Sequence, residues 1–542
     1  VVPHLAKLHM DGHTCGGISD VFFVSAVIIK QTIDKGLEKG VTKFDPALFD
    51  AEMMHHAQEA FQTLITLTSD AGLHNEAAAL VRRAAALLED LPTPLNPDDK
   101  VSLAALQFRA ALLTPAVYES GRHLRATRAA LLGDMETLEI ASRAPSFDLE
   151  KLDEFALSPT FYFVYQGYHD KQLLELLHRS YGRANPSISR NHLSAEQIHR
   201  SSDDYDSSLG RNRNIRVGFV SAHYRRHSIC KLFCGIITRL AAEGSGVDVV
   251  LFSGLQENKE DGTTFALINS LPHGNKQFIR IGKTLVYNRE EVLKREIDVL
   301  VYLDVGMDPA TMIWAGARLA RVQVCLWGHP TTTGMPHMDY FVSSFDYHVD
   351  NEQQYLLAST TGAATSKAGV LPGSMQDISP ISTWAYERFT EQLVQFDSLG
   401  FFFKRPTLAF AEYDEPAMLR AMSLRDDVYY NALLGGAGVR PYAPTGLLRE
   451  IVLDRKQGKI KAVLCPQHLP KMHHGLDPIF KGILSGCKQC RLILVADGAK
   501  KGQWKRTLMS RWAKSIGSFY LKQIIWLENI KPEAYLTLLA LG

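Results

Sequence analysis

The spacing of apolar and polar residues divides the chain into a helical first part and a second part in which strands and helices alternate. Over residues 45–200, apolar residues recur at helical spacing among Ala, Leu and Glu, which favour helices. The alanine-rich stretch at 76–89 is an example. No clear period of about 34 residues is present, so the pattern favours an irregular helical region over a full array of paired-helix repeats.

From residue 214 the pattern changes to short apolar strands separated by amphipathic helices. The predicted strands of this series span residues 215–221, 247–253, 297–304 and 322–327, and a further apolar run covers 338–342. The predicted helices cover 231–242, 288–296 and 310–319. Such alternation is typical of βαβ units that build a parallel sheet. The segment rich in Ser, Asn, Arg and Asp at 184–214 is interpreted as a linker, and the Ser/Thr/Gly-rich segment at 355–385 as a surface insertion.

A second alternating series begins near residue 400. Its predicted strands span residues 461–466, 491–497 and 523–527, and its helices 478–485, 502–515 and 532–541. We therefore predict an α/β fold with a helical N-terminal region at 1–200. The first Rossmann-like half covers 214–395 with the insertion, and the second covers 400–542.

Composition narrows the function classes. The net charge is +1 and 46% of the residues are hydrophobic, so no global charge favours nucleic acid or an anionic membrane. No apolar run approaches the ~20 residues that span a bilayer. The run at 21–29 also lacks the basic flank of a signal peptide.

Seven cysteines are scattered along the chain, which favours reduced thiols and a cytoplasmic or nuclear location, or both. A lone Cys-x-x-Cys at 487–490 binds zinc only with further ligands, and His473 and His474 are the candidates. We favour ordinary thiols there and predict no metal site.

Polar loops after predicted strands are the candidate sites, because open α/β sheets bind ligands beyond the carboxyl ends of their strands. After the first strand, His227 is either structural or functional, and in a functional role it would orient a substrate hydroxyl or share in proton transfer. After the third, Asp304 or Asp308 could bind a sugar hydroxyl. Asp308 precedes Pro309 and is better explained as a helix N-cap.

Two further loops carry the strongest features. The stretch 327–334 breaks at glycine and proline and holds three threonines, so it is either an ordinary connection or a loop whose backbone approaches a phosphate or sugar. After the first strand of the second series, Lys471 could neutralise a departing diphosphate without a metal. A lysine in such a position is otherwise simply solvated.

Three of these stretches match motifs in order. Ser-Ala-His-Tyr-Arg-Arg-His at 221–227 fits a strand followed by Ser-x-x-(Phe/Tyr)-x-x-His. Arg-Leu-Ala-Arg-Val-Gln-Val-Cys-Leu-Trp-Gly-His-Pro-Thr-Thr-Thr-Gly at 318–334 is followed by Met-Asp-Tyr at 338–340, and His-Leu-Pro-Lys at 468–471 is similar to Gln-x-x-Lys. In this combination the chain resembles the protein O-GlcNAc transferase family, including its SPINDLY branch, over roughly residues 100–542.

The resemblance implies a GT-B fold, in which two Rossmann-like halves flank the active site, preceded by tetratricopeptide helices. It implies inverting, metal-independent transfer of N-acetylglucosamine or fucose from UDP-GlcNAc or GDP-fucose to Ser or Thr of proteins. The donor is a substrate and no cofactor is expected. The implied partners are protein substrates, bound through the helical region, with no nucleic acid and no membrane. The implied site residues are His227 and Lys471 as catalytic groups, and Gly328, His329, Pro330, Thr332, Thr333, Gly334 and His468 as donor- or acceptor-binding groups.

The chain departs from the family pattern at several positions. Met307 and Asp308 follow Gly306 where the family often has His-Thr, His468 replaces the glutamine, and His329 replaces a tyrosine. The family also continues beyond the position of Gly542 with a strand and a Gly/Thr-rich loop that grips the diphosphate. We therefore expect this chain to bind donor poorly. The alternative function is a non-catalytic, degenerate transferase that acts as a protein-binding scaffold. A dehydrogenase is disfavoured because the turn at 217–222 lacks GxGxxG.

Overall fold

A computed structural model describes the parts of the chain that build the two predicted α/β regions. The described residues are 108, 111–142, 160–194, 214–282, 284–344, 387–398, 400–401, 454, 457–496 and 502–528. They divide into two compact units, which we name by their sheets. The seven-stranded unit comprises the described parts of Val81–Leu112 and Leu131–Lys404, and the three-stranded unit those of Leu113–Ala130 and Arg405–Gly542. The predicted helices before residue 108, the insertion at 355–385 and the helix at 532–541 lie outside the described residues.

The seven-stranded unit contains a wholly parallel sheet. Its strands are β1 (Ile215–Ser221), β2 (Val247–Ser253), β3 (Phe278–Arg280), β4 (Val299–Tyr302), β5 (Val322–Leu326), β6 (Tyr340–Ser344) and β7 (Gln392–Phe396). They are arranged in the order β3-β2-β1-β4-β5-β6-β7. From β3 to β6 this is the strand order of the Rossmann fold. The predicted α/β class with a parallel sheet is confirmed.

Helices connect these strands, and polar side chains define where several of them begin. The helices of this unit are α2 (Lys171–Ala184), α3 (Ser228–Leu240), α4 (Gly262–Asn269), α5 (Leu285–Leu293) and α6 (Pro309–Ala315), and α1 (Gly121–Ala141) contains the boundary between the units. The Asp308 carboxylate accepts from the N–H groups of Ala310 and Thr311 at the start of α6, and Pro309 occupies the first turn. The predicted cap at Asp308 is confirmed.

The core of this unit forms where sheet and helices exclude water. Leu251, Phe252, Leu300 and Phe341 on the central strands are fully buried. Helix α2, from the predicted helical region, buries Leu174, Leu177 and Tyr181 in the apolar cluster that contains Phe252, Leu300 and Phe341. Its apolar residues lie on one face, so packing against the strands removes that face from water. The helix is therefore an integral part of the α/β unit.

The three-stranded unit repeats the architecture on a smaller scale. Its strands β8 (Lys461–Cys465), β9 (Cys490–Ala496) and β10 (Ile524–Glu528) are parallel and arranged in the order β10-β9-β8. Helices α7 (Asp477–Gly486) and α8 (Gly502–Trp512) pack on the sheet. Leu492, Leu494, Leu508 and Trp512 are fully buried in the core. The three strands predicted from the second alternating series are confirmed.

The cysteines differ from the expectation of free thiols. Cys230 forms a disulfide with Cys234, and Cys487 with Cys490. One turn of α3 separates the first pair and a short turn before β9 separates the second, so local backbone geometry brings each pair of sulfurs together. Cys325 and Cys465 are free. The expectation of reduced thiols is thus wrong for these four residues.

Two further searches cover only the described ranges. They contain no group of three or more His, Cys, Asp or Glu side chains that could hold a metal ion, and this includes the region of His473 and His474. None of their helices combines the length and the apolar character needed to cross a bilayer.

Candidate functional site

The strand order of the seven-stranded sheet creates a crevice between β1 and β4. The chain proceeds from β1 outwards to β2 and β3, and then returns to β4 on the other side of β1. At such a reversal the connections leave in opposite directions, and ligands bind beyond the carboxyl ends of the two strands. Ser221 ends β1, and Asp304 lies two residues after β4. These two residues therefore form the floor of the crevice.

A buried carboxylate joins the two sides of this floor. Oδ2 of Asp304 accepts a hydrogen bond from Ser221 Oγ at 2.7 Å and another from the Ala222 N–H at 3.1 Å. Oδ1 has no hydrogen-bond partner within the described residues. Burial is the main cause that raises the pKa of Asp304 to about 7, although both hydrogen bonds act against it. The carboxyl is fully buried, so Asp304 supports the floor and is not placed as a direct ligand of a sugar hydroxyl.

Two stacked histidines stand above this floor. The rings of His223 and His227 lie 4.1 Å apart, and Nε2 of His223 is 3.9 Å from Oδ2 of Asp304. Burial lowers the pKa of each histidine to about 4, and the nearby Arg225 adds to the effect. Both rings are therefore neutral at pH 7.

The position of His227 restricts what it can do. Its Nδ1 accepts from the Ile229 N–H at 3.3 Å and caps α3. A neutral imidazole that accepts through Nδ1 carries its proton on Nε2, so we assign the Nε2–H tautomer. In this tautomer His227 can donate a hydrogen bond to a ligand oxygen but cannot accept a proton there. Of the two roles predicted for His227, the geometry favours orienting an oxygen over acting as a base.

The loop after β5 begins at a close approach to β4. A Cβ atom at Gly328 would lie 2.0 Å from the carbonyl oxygen of Leu303, so only glycine fits. Trp327, just before it, packs against Phe233 of α3 and against Phe401. The glycine here serves packing between neighbouring strand ends.

Two of the three threonines of this loop, Thr332 and Thr333, face the protein interior. The Glu391 carboxylate accepts from Thr332 Oγ1 at 2.7 Å, from the Thr333 N–H at 2.8 Å and from Thr333 Oγ1. All three side chains are buried. Thr332 Oγ1 also accepts the N–H of Thr390 at 3.0 Å. Sequence reasoning missed Glu391, because no local motif marks a partner 58 residues away.

His329 and Gly334 also have internal partners. The ring of His329 is buried, with Nε2 3.3 Å from the Phe161 carbonyl oxygen and Nδ1 3.1 Å from Thr331 Oγ1. Burial lowers its pKa to about 4. Gly334 has φ +71°, and a Cβ atom there would lie 2.6 Å from the Leu174 backbone of α2. Pro330 is exposed in this loop, and Gly328 and Thr331 are half-buried.

Polar residues before, within and after β5 form a separate hydrogen-bond network. Arg318 pairs with Asp339 through two parallel hydrogen bonds of 2.6 and 2.8 Å. The Gln323 side chain donates to the carbonyls of Ala317 and His337. These contacts tie β5 to the start of β6. The Arg and Gln of the 318–334 motif therefore fix the base of the loop.

In the three-stranded unit, the loop after β8 presents a charge. Lys471 is exposed, and its Nζ donates to Gln467 Oε1 at 3.2 Å. The ring of His468 stands edge-on to Trp504, with centroids 5.3 Å apart. Gln467 is the polar partner that sequence reasoning missed, since the motif directs attention to position 468. It could have been found as the residue four positions before the lysine.

A buried ion pair holds this loop in place. Arg511 makes two hydrogen bonds to the Asp477 carboxylate, at 3.0 and 2.9 Å, and donates to the Met472 carbonyl at 2.8 Å. Asp477 also accepts from Trp512 Nε1 and Ser515 Oγ. The carbonyl of Met472, directly after Lys471, is thereby anchored to α8.

The predicted site residues thus fall into two sets. His227 and the loop at 328–334 lie at the carboxyl end of the seven-stranded sheet, where His227, Ser221 and Asp304 share the crevice between β1 and β4. His468 and Lys471 lie at the carboxyl end of β8 in the three-stranded unit. Each set follows strand ends, as predicted.

Comparisons with known proteins give structural likeness only. No protein-family model matches the chain, and no curated protein matches it. Among solved structures, the chain is similar to a mutant of the Thermobaculum terrenum O-GlcNAc transferase, with 17% sequence identity and a TM-score of 0.48. That match covers 90% of this chain and 71% of the other. A second match is the apo form of the lipopolysaccharide outer core galactosyltransferase WaaB, with 10% identity, a TM-score of 0.28, and coverage of 60% and 71%.

Proposed function

We propose that the chain belongs functionally with glycosyltransferases that move a sugar from a nucleotide-sugar donor to Ser or Thr of proteins. The observation that carries the proposal is the placement of the motif residues. The 221–227 motif lies at the β1/β4 crevice, the 318–334 motif builds the neighbouring loop, and Lys471 is exposed after β8. All three positions follow the carboxyl ends of parallel strands, where α/β enzymes bind their ligands.

In the proposed reaction, the Ser or Thr hydroxyl attacks the anomeric carbon, the bond to the diphosphate breaks, and the nucleoside diphosphate leaves with inversion. Lys471 would stabilise the negative charge that develops on the diphosphate. His227 would orient an oxygen of the bound substrate through Nε2–H. The general base is unassigned. Lysine can supply the required positive charge, so we propose that transfer needs no metal and no cofactor.

The test is direct transfer. The protein is incubated with UDP-GlcNAc or GDP-fucose and a library of Ser/Thr peptides, and the peptides are examined by mass spectrometry for the gain of one N-acetylglucosamine or fucose residue. Transfer should persist with EDTA. It should fall in Lys471→Met and persist in Lys459→Met, because Lys459 is an exposed lysine that pairs with Asp454 in the same unit.

The same experiment separates the enzyme from the scaffold alternative. An enzyme shows transfer, and its melting temperature rises with the donor because the donor binds the folded state. Absence of transfer, together with no donor-dependent rise in melting temperature, would sink the enzyme hypothesis. Peptide binding that persists under those conditions would favour the scaffold.

A further inference from the structure

The turn between β1 and α3 holds an arginine whose charge has no partner within the described residues. Arg225 is half-buried and its Nε atom is fully buried, yet its guanidinium makes no hydrogen bond or ion pair there. Other half-buried arginines of this unit are paired: Arg280 with Glu260 at 2.7 Å and Arg318 with Asp339 at 2.6 Å. A buried N–H donor without a hydrogen-bond partner is costly, and a guanidinium without an internal ion pair keeps its charge available to a ligand. The arrangement therefore calls for an anionic group.

The backbone at Arg225 is fixed on both sides. Its N–H donates to the His223 carbonyl at 2.7 Å, and its carbonyl accepts the His227 N–H at 2.5 Å, so two three-residue turns follow one another. The N–H of the next residue, Arg226, donates to the Asp261 carboxylate at 2.8 Å. A side chain on such a constrained backbone loses little further backbone entropy when it binds a ligand.

Among the described residues of the β1–α3 turn, Arg225 is the half-buried positive charge. The adjacent rings of His223 and His227 are neutral at pH 7, since burial, with a contribution from Arg225 itself, lowers the pKa of both. Lys231 and Arg226 are exposed. A single guanidinium matches one carboxylate through two parallel hydrogen bonds. A diphosphate carries more charge, and we have assigned it to Lys471.

We propose that Arg225 binds a carboxylate of the acceptor, so that the β1/β4 crevice selects peptides with Asp or Glu close to the modified hydroxyl. This assignment rests on the proposed function for the identity of the acceptor. It adds a specificity-determining residue that the motifs do not identify, because Arg225 occupies a variable position of the 221–227 pattern.

The test uses matched fluorescent peptides that differ only in Asp/Glu against Asn/Gln beside one Ser. Binding is measured by anisotropy and transfer by mass spectrometry, for the wild type, Arg225→Gln, Arg225→Lys and Arg216→Gln. Arg216 is the matched control, because it lies at the opposite end of β1 and pairs with the exposed Glu296. We expect the wild type and Arg216→Gln to prefer the acidic peptide by about tenfold, the effect of one charge-assisted hydrogen bond. Arg225→Gln should show no preference and Arg225→Lys a reduced one.

The outcomes distinguish this proposal from the proposed function. If binding prefers the acidic peptide in an Arg225-dependent way but no sugar is transferred, the result supports the anion site and counts against the enzyme hypothesis. Transfer with equal preference in the wild type and Arg225→Gln would support the enzyme and overturn the assignment. A loss of UDP affinity in Arg225→Gln with unchanged peptide preference would also overturn it, since the anion would then be a donor phosphate. Arg225→Lys keeps the charge and provides the folded comparison if Arg225→Gln is unstable.

Discussion

The two strand-end loops of this protein use their polar residues in opposite ways. In the seven-stranded unit, the loop after β5 directs Thr332 and Thr333 onto the buried Glu391, and both ring nitrogens of His329 have protein partners. In the three-stranded unit, the loop after β8 leaves Lys471 exposed. The first loop is therefore constructed like a core, and the second presents a charge to solvent. Substitutions in the first should change stability, and substitutions at Lys471 should change ligand binding.

The largest expected difference between the two units is their response to acid. Burial is the largest cause that lowers the pKa of four histidines in the seven-stranded unit to about 4. These are His178, His223, His227 and His329. In the unfolded chain the pKa of these histidines is about 6.5. Between about pH 4 and pH 6.5 the folded state therefore binds fewer protons than the unfolded state. The part of the free energy of unfolding that depends on neutral histidines is fully present above about pH 6.5 and is lost as the pH falls to about 4. Asp304, with its pKa raised to about 7, acts in the opposite direction, but it is one group against four.

Peptide-resolved hydrogen exchange, corrected for the intrinsic pH dependence, measures this difference. The seven-stranded unit should lose protection between pH 6.5 and 4.5 before the three-stranded unit does. His178→Leu should move its acid transition to lower pH, because the buried Nε2 of His178 has no hydrogen-bond partner within the described residues. Equal loss of protection in both units, unaffected by this variant, would contradict the prediction.

The next largest effect concerns the ion pair that anchors the Lys471 loop. Asp477→Asn leaves Arg511 buried without its counter-charge, and breaking such a pair costs about 3–5 kcal/mol. Urea unfolding of the three-stranded unit measures the loss. Asp454→Asn is the matched control, because Asp454 pairs with Lys459 at the surface and such pairs contribute about 0–1 kcal/mol. Similar effects of the two variants would show that the buried pair is not the anchor.

In the loop after β5, Gly334→Ala should destabilise the seven-stranded unit by about 3 kcal/mol. The added Cβ meets the Leu174 backbone at 2.6 Å and the residue has φ +71°, so overpacking adds to left-handed strain. Gly244→Ala separates the two causes, because Gly244 has φ +78° and nothing within 4 Å of its Cβ position. It should cost about 1 kcal/mol. If both variants cost the same, contact with α2 does not determine the glycine at position 334. Urea titration provides both values.

The smallest stability effect belongs to the exposed loop. Lys471→Gln should change the free energy of unfolding by no more than about 0.5 kcal/mol, as is usual for exposed side chains. The same variant should weaken binding of UDP, measured by calorimetry, if Lys471 neutralises a diphosphate. A marked loss of stability with unchanged UDP binding would make Lys471 structural and remove the contrast between the two loops.

Much of the fold was accessible from local patterns. The predicted strands at 215–221 and 247–253 coincide with β1 and β2, because strands covered by helices on both faces are recognisable as continuous apolar runs. The Asp308 cap was recognised from Asp-Pro chemistry. The short strand β3 and the strand β7 were not predicted, since three residues carry no periodicity and β7 follows the segment taken as an insertion. The His223–His227 stack required coordinates, as did the finding that Arg225 has no partner among the described residues.

The sequence alone determined that this protein is α/β with parallel sheets, and that its polar motifs follow strand ends. Those properties depend on residue spacing and on chemistry within a few positions. The tertiary structure decided which polar groups remain available to a ligand. Thr333 is hydrogen-bonded to Glu391, and Gly334 packs against the backbone at Leu174; both contacts join residues that are distant in the chain. Arg225, in contrast, has no partner in the described residues. Availability depends on which distant groups meet in space, and no local pattern records it.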